Sequence, residues 1–251
     1  MPEEFAGLKA IVTGGSSGIG LATAQLLTSR GARVLVLDPV APPPQSGLGH
    51  EVADVSDDAS VRRGVEAAIG TLGGCDILVN NAGIGAQGTV EDNTDEEWRR
   101  IFEVNVFGIV RVTRACLPAL RRSAHAAIVN TCSIAATAGL VRRAAYSATK
   151  GAVLALTRAM AADHIKEGIR VNCVNPGTVE TPWVTRLLDA ADDPAAERVA
   201  LISRQPHGRL VQPEEVAAAI CYLASPLSTS TAGTALEVDG GMAGLRLPPK
   251  A

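Results

Sequence analysis

Tyr146 and Lys150 are the residues whose types and spacing first suggest chemistry. They stand at positions i and i+4 of a segment with helical patterning, which sets a phenol and an ammonium on one helix face. A phenol has a pKa of about 10 and is a poor base at neutrality. A lysine cation beside it, together with an oxidised nicotinamide, would favour the phenolate. Such a group could take the proton of an alcohol while the carbinol hydrogen leaves as hydride. The pair alone is a weak signal, because many surface helices carry it by chance, but Tyr146 is one of only 2 tyrosines in the chain. Ser133 lies just past an apolar strand at 127–130, where its hydroxyl could orient a substrate oxygen or simply cap a turn. Asn105 falls among Phe102, Val104, Val106 and Phe107 in a helical pattern that disfavours it. If buried, it needs a hydrogen-bonding role, either catalytic or a structural bond to backbone.

A second group of residues suits a dinucleotide. The run from Thr13 through Gly14, Ser17, Gly18 and Ile19 to Gly20 joins a short strand to a helix. Glycines let the backbone approach a pyrophosphate without a Cβ in the way, and the helix N-terminus offers free N–H groups to the anion. An ordinary strand-to-helix turn is the plainer alternative. Asp38 ends the second strand, where a carboxylate can accept both hydroxyls of an adenosine ribose. The same charge would repel a 2′-phosphate by roughly 4 kcal/mol at contact in a medium of intermediate dielectric. Gly15 and Pro39 supply no compensating cation, so NAD is expected over NADP. Asn81, Ala82 and Gly83 follow a further strand, and their backbone can lie along the cofactor.

These residues need a scaffold, and the chain alternates apolar runs with helical patterns from end to end. Strands are expected at 10–12, 34–37, 76–79, 127–130, 169–174 and 235–238, with helices at 20–29, 95–122, 145–167 and 213–223. Strands without strict alternation, separated by helices, point to an α/β fold with a parallel sheet covered on both faces. The 251 residues are 47% hydrophobic and 3% aromatic, so the core is built mainly from Ala, Val, Leu and Ile. No repeat or interdomain linker divides them, and one doubly wound catalytic domain over 1–251 is the simplest reading. The proline-rich run at 39–45 reads as a loop.

A net charge of −3 leaves no basic surplus for nucleic acid. The uncharged stretch at 216–236 contains Pro226 and many Ser and Thr, so it reads as helix, turn and strand rather than a membrane span. An acidic start without an apolar leader and 5 widely spaced cysteines lead to a cytoplasmic protein with buried free thiols. The 4 histidines lack ligand spacing, so no metal is expected.

Taken together, Thr13, Gly14, Gly18, Ile19, Gly20, Asp54, Val55, Asn81, Ala82, Gly83, Asn105, Ser133, Tyr146, Lys150, Pro176 and Gly177 resemble, in order and spacing, the motifs of the short-chain dehydrogenase/reductase superfamily. The resemblance covers nearly the whole chain, from about residue 5 to 241. It implies a Rossmann-type domain with a seven-stranded parallel sheet, an NAD(P)-linked oxidoreductase and a homotetramer. Tyr146 would be the acid/base. Lys150 would favour its phenolate and bind the nicotinamide ribose. Ser133 would hold the substrate oxygen, and Asn105 would support a proton-relaying water. Asp54 and Val55 would lie against adenine. Pro176, Gly177, Val179 and Thr181 would line the nicotinamide and pyrophosphate. One departure is the short interval from Asp38 to Asp54, which implies that the usual intervening helix is reduced to a loop.

The segment at 178–210 would cover a small-molecule substrate. Within it, and just before Tyr146, the chain is similar to a narrower subgroup: cytosolic-type 3-hydroxybutyrate dehydrogenases and sugar-acid dehydrogenases acting on 2-keto-3-deoxy-L-fuconate. That similarity implies that Arg143, Arg186 and Arg204 bind a substrate carboxylate, as arginine forks suit. Solvation, or pairing with Asp189, Asp192 and Asp193, is the alternative. Trp183 would narrow the pocket or stack on a sugar ring. The expectation is therefore an NAD-dependent dehydrogenase of a small hydroxy acid or sugar acid. A 3-oxoacyl carrier-protein reductase, a neutral sugar or alcohol dehydrogenase, and a catalytically silent dinucleotide sensor are the alternatives. For assembly, the apolar and small residues Val106, Ile109, Val110, Ala152, Leu156 and Ala159 suggest faces buried between subunits, and the tail at 245–249 could reach a neighbour.

Overall fold

The strands that the apolar runs predict all join one parallel sheet. A computed structural model of the chain describes residues 3–189 and 191–247. Its strands are β1 (Lys9–Thr13), β2 (Arg33–Asp38), β3 (Gly49–Val52), β4 (Ile77–Asn80), β5 (Ala127–Thr131), β6 (Arg170–Pro176) and β7 (Ala235–Val238). They form a seven-stranded sheet in the order β3-β2-β1-β4-β5-β6-β7, and every neighbouring pair is parallel. The order reverses between β1 and β4, so a crevice opens at the C-terminal ends of those strands.

Both faces of the sheet are covered, which is why its central strands read as unbroken apolar runs. Ile11, Leu78, Ile128 and Val171 project to one face and pack with α2 (Asp58–Leu72), α4 (Gly108–Leu120) and α5 (Ala144–His164). Ala10, Val12, Ile77, Val79, Val129 and Val174 project to the other face and pack with α1 (Gly18–Ser29) and α8 (Pro213–Ala224). The small side chains let these helices sit close. Gly64 of α2 has no room for a side chain, since a Cβ there would come within 2.9 Å of the Ala53 Cβ.

Besides two helices in the covering segment, three features lie outside the expected element list. The strand β3 has the sequence GHEV and is only partly buried, so it carries no apolar run. The helix α2 is capped by Asp57, whose carboxylate accepts from Ala59 N and Ser60 N, and it ends at Gly73 with φ +75°. Gly64 and Gly70 dilute its helical signal. The helical stretch expected at 95–122 is three pieces: α3 (Asp95–Phe102), a π-helical turn (Glu103–Phe107) and α4. In place of a helix between β2 and β3 there is a loop with one 3-10 turn, Pro44–Ser46, as the short interval implied. All 5 cysteines are buried and free. Among the described residues no helix is long and apolar enough to cross a membrane. Of the expected tail contact at 245–249, Leu245 and Leu247 are exposed, and residues 248–249 lie outside the described residues.

Candidate active site

A cleft of about 1060 Å³ runs along the C-terminal ends of the strands. Every residue expected to bind cofactor lines it except Gly20, and all six residues expected to meet substrate line it too. Gly20 acts from behind: a Cβ there would fall 2.1 Å from the Gly14 carbonyl oxygen, so the loop could not close. Gly14 (φ +62°) and Gly18 (φ +52°) take the left-handed conformation the turn requires.

The glycine loop is tied to its neighbours by Thr13 and Asn81. The Thr13 hydroxyl accepts from Asn81 N (3.0 Å) and Ala82 N (3.1 Å), and the Asn81 amide donates to Gly14 O at 3.0 Å. Gly14 needs its bare α-carbon here, because a Cβ would lie 2.8 Å from Ala82 Cα. At the start of α1, the N-cap Ser17 makes no side-chain cap and the first turn holds no acid. The helix N-terminus therefore presents uncompensated N–H groups to the cleft, the arrangement a pyrophosphate fits. Asp38 is held by Ser16 N (3.2 Å to Oδ2) and Val40 N (3.0 Å to Oδ1), which aim its carboxylate and leave lone pairs for a ribose diol. The Asp54 carboxyl is held below its ordinary value by hydrogen bonds from the Ser56 hydroxyl and N–H. These residues fit a nicotinamide dinucleotide.

At the other end of the cleft, Ser133, Tyr146 and Lys150 converge. Ser133 leaves β5 and its hydroxyl also accepts from Ala135 N at 3.1 Å, so capping and facing the cleft are compatible. Lys150 is buried, donates to Thr131 O at 2.8 Å, and sits 5.6 Å from the Tyr146 ring centroid. Asn105 does not line the cleft. Its Oδ1 accepts from Ile84 N (2.8 Å), and its Nδ2 donates to Ile84 O (2.9 Å) and Thr149 Oγ1 (3.1 Å). Thr149 Oγ1 donates on to Tyr146 O at 2.8 Å. The π-helical turn swings Asn105 inward to make these bonds, so its side chain meets the structural alternative.

The covering segment forms two helices, α6 (Pro182–Asp189) and α7 (Pro194–Ser203). Trp183 packs so close on Gly85 that a Cβ there would be 2.5 Å from its ring. Arg143 follows Arg142, whose φ of +54° is the one left-handed non-glycine conformation among the described residues. That turn directs Arg143 into the cleft, where burial and then the nearby Arg204 charge push its pKa down. Among the described residues, none of Arg143, Arg186 and Arg204 is paired with a carboxylate, and Asp193 instead caps α7 through Ala196 N. Sequence reasoning missed Arg100 of α3 and the apolar wall made by Leu140, Leu201 and Met242. Only their place in the fold brings them to the cleft, since no motif links them.

The whole chain has well-matched relatives. Residues 14–243 match the family model described as enoyl-(acyl carrier protein) reductase. A cis-4-hydroxycyclohexanecarboxylate dehydrogenase from Sinomonas cyclohexanicum is 40% identical over 96% of this chain and 98% of its own length. The ligand-free aldohexose dehydrogenase of Thermoplasma acidophilum superposes with a TM-score of 0.93 at 32% identity, covering 100% of this chain and 99% of its own. An NADPH-bound short-chain oxidoreductase from Pseudomonas aeruginosa PAO1, described as having an atypical catalytic center, has a TM-score of 0.90 at 37% identity over 98% of this chain and all of its own. The parallel sheet, the glycine-lined crevice at its switch point and this degree of identity over full length agree, and the chain belongs to the short-chain dehydrogenase/reductase superfamily.

Proposed function

We propose that this protein is an NAD-dependent dehydrogenase that oxidises a secondary alcohol on a small carboxylic acid. The observation that carries the acid substrate is the cluster of unpaired guanidiniums. Arg143 lies close enough to Arg204 for that charge to help push its pKa down, and with Arg186 both line the same cleft as Tyr146. Guanidiniums gathered at one cleft, Arg143 half-buried and none of the three in ion-pair contact with a carboxylate among the described residues, favour an anionic ligand, with Glu197 offsetting part of the charge at Arg143. A hydroxy acid of the kind named for the Sinomonas relative would offer its hydroxyl to Ser133 and Tyr146 and its carboxylate to the arginines.

Bound NAD supplies the hydride acceptor. Ser133 Oγ would then hold the carbinol oxygen, Tyr146 Oη would take its proton as the carbinol hydrogen leaves as hydride, and Lys150, 5.6 Å from the Tyr146 ring, would hold the nicotinamide ribose. Asn105 would support Tyr146 through Thr149, whose hydroxyl bonds the Tyr146 carbonyl, and would hold the Ile84 backbone beside the cleft. Asp38, fixed by two backbone N–H groups with Pro39 after it, supports NAD over NADP, although the Pseudomonas relative binds NADPH. We assign 178–210 as the substrate cover, and a homotetramer as the assembly.

The test is initial rate with NAD and NADP over hydroxy acids, sugar acids and neutral sugars, repeated with Arg204→Ala. We expect NAD-linked turnover of acids, with kcat/KM falling about 30-fold or more in the variant as one charge-assisted contact is lost. Turnover of neutral sugars that survives the substitution would favour the second reading, a sugar dehydrogenase, which the aldohexose dehydrogenase likeness supports.

A further inference from the structure

The covering segment leaves the sheet at Thr178 and returns at Val211, where Val211 N donates to Thr178 O at 3.0 Å and Glu180 N to Val211 O at 2.8 Å. Gln205, next to Arg204, sits inside this junction and is 1% exposed. Its Nε2 donates to Thr178 O (3.2 Å) and to Arg209 O (2.9 Å), so one amide spans both ends of the cover. Two carbonyl partners fix which end of the amide is nitrogen. The oxygen must then face the other way, and Oε1 is buried without any hydrogen-bond partner. It rests against Gly177: a Cβ on Gly177 would lie 2.4 Å from Oε1. Gly177 is not in a left-handed conformation, so the position requires glycine for room alone.

An orphaned buried acceptor is costly and persists where something else is gained. Gly177 and Thr178 line the cleft, and Gln205 fills the space directly behind them. Gln205 N also accepts no freedom, donating to Ile202 O at 3.0 Å at the end of α7.

We propose that Gln205 is a positioning residue that presses the Pro176–Thr178 turn toward the nicotinamide and holds the root of Arg204 in the same frame. It contacts neither cofactor nor substrate. This rests on the proposed placement of the nicotinamide against Pro176 and Gly177.

Gln205→Met tests it, because methionine nearly matches the volume but cannot donate to the two carbonyls. The readout is equilibrium binding of NADH and of ADP-ribose, with no substrate present, together with the melting temperature. ADP-ribose keeps the adenosine and pyrophosphate contacts and lacks the nicotinamide. We expect the NADH dissociation constant to rise about tenfold while that of ADP-ribose changes by less than about twofold. An equal loss for both ligands, or no loss for NADH, would overturn the proposal, since a merely structural role does not separate them. If Gln205→Met does not fold, Gln205→Leu removes the same two donated bonds with a smaller side chain and should give the same selective loss. Because no substrate is used, a neutral substrate in the rate panel would remove the acid reading and leave this result standing. Wild-type protein that binds neither ligand would overturn the cofactor reading and the role of Gln205 with it.

Discussion

At the scale of single residues, the proposed chemistry depends on a tyrosine whose neighbours are held by backbone. Lys150 bonds Thr131 O, and Asn105 bonds both polar atoms of the Ile84 backbone, so neither side chain is free to wander from Tyr146. Tyr146→Phe removes the proton acceptor without disturbing those bonds. Turnover is expected to fall by about 100- to 10,000-fold, with cofactor affinity changing by about fivefold or less. Single-turnover absorbance of NADH, paired with a binding titration, checks both; unchanged turnover would remove Tyr146 from the mechanism. Tyr146, Ser133 and Lys150 were legible in the sequence because each is a polar type placed at the end of a strand or on one helix face. The buried orientation of Asn105 was not, since a π-helical turn has no periodicity of its own to read.

At the scale of elements, the cover is tied down at its return. Arg209 makes two contacts to Glu215, at 2.6 and 2.7 Å, and Glu215 also accepts from Gln212 N at the start of α8. Those bonds hold the Glu215 carboxyl down at about 2, with Arg209 the largest cause. A depressed carboxylate stabilises the fold above its unfolded pKa of about 4.5, and that stability is lost as pH falls toward 2. The pair is 52% and 40% exposed, so solvent screening keeps its contribution small. Glu215→Gln should therefore lower the melting temperature at pH 7, and the gap from wild type should close between pH 5 and pH 2. A gap that does not depend on pH would mean that the charge is irrelevant. Trp183 at the other end of the cover rests on Gly85, so the cover is tied at both ends while Arg186 of α6 lines the cleft.

At the scale of the molecule, a polar chain crosses the core where apolar contacts dominate. Asn80 of β4 donates to Thr113 of α4 (3.2 Å) and to Asn130 of β5 (2.9 Å), and Asn130 donates to Thr157 of α5 (2.9 Å). Both asparagines are essentially buried, so the bonds lie in a low-dielectric interior where an unpaired partner is expensive. Asn130→Ala should cost about 2–3 kcal/mol in denaturant unfolding. A loss under about 0.5 kcal/mol, the range of a neutral surface change, would refute the idea that this network registers the two strands against their helices.

Six of the seven strands, their alternation with helices, the glycine loop, Asp38 and the Tyr146–Lys150 pair were legible in the sequence alone, because each is local: a run, a spacing, or a residue type at an element's end. The edge strand β3 and the helix α2 were less legible, because a half-exposed strand and a glycine-interrupted helix carry weak periodic signals. The tertiary structure decided which distant residues meet. It brings Arg100, Leu140 and Met242 to the cleft, turns Arg143 inward through the strained Arg142, and sets Gln205 behind Gly177. Such contacts join residues far apart in the chain, and what selects them is the packing of helices on a twisted sheet, which no short window of sequence contains.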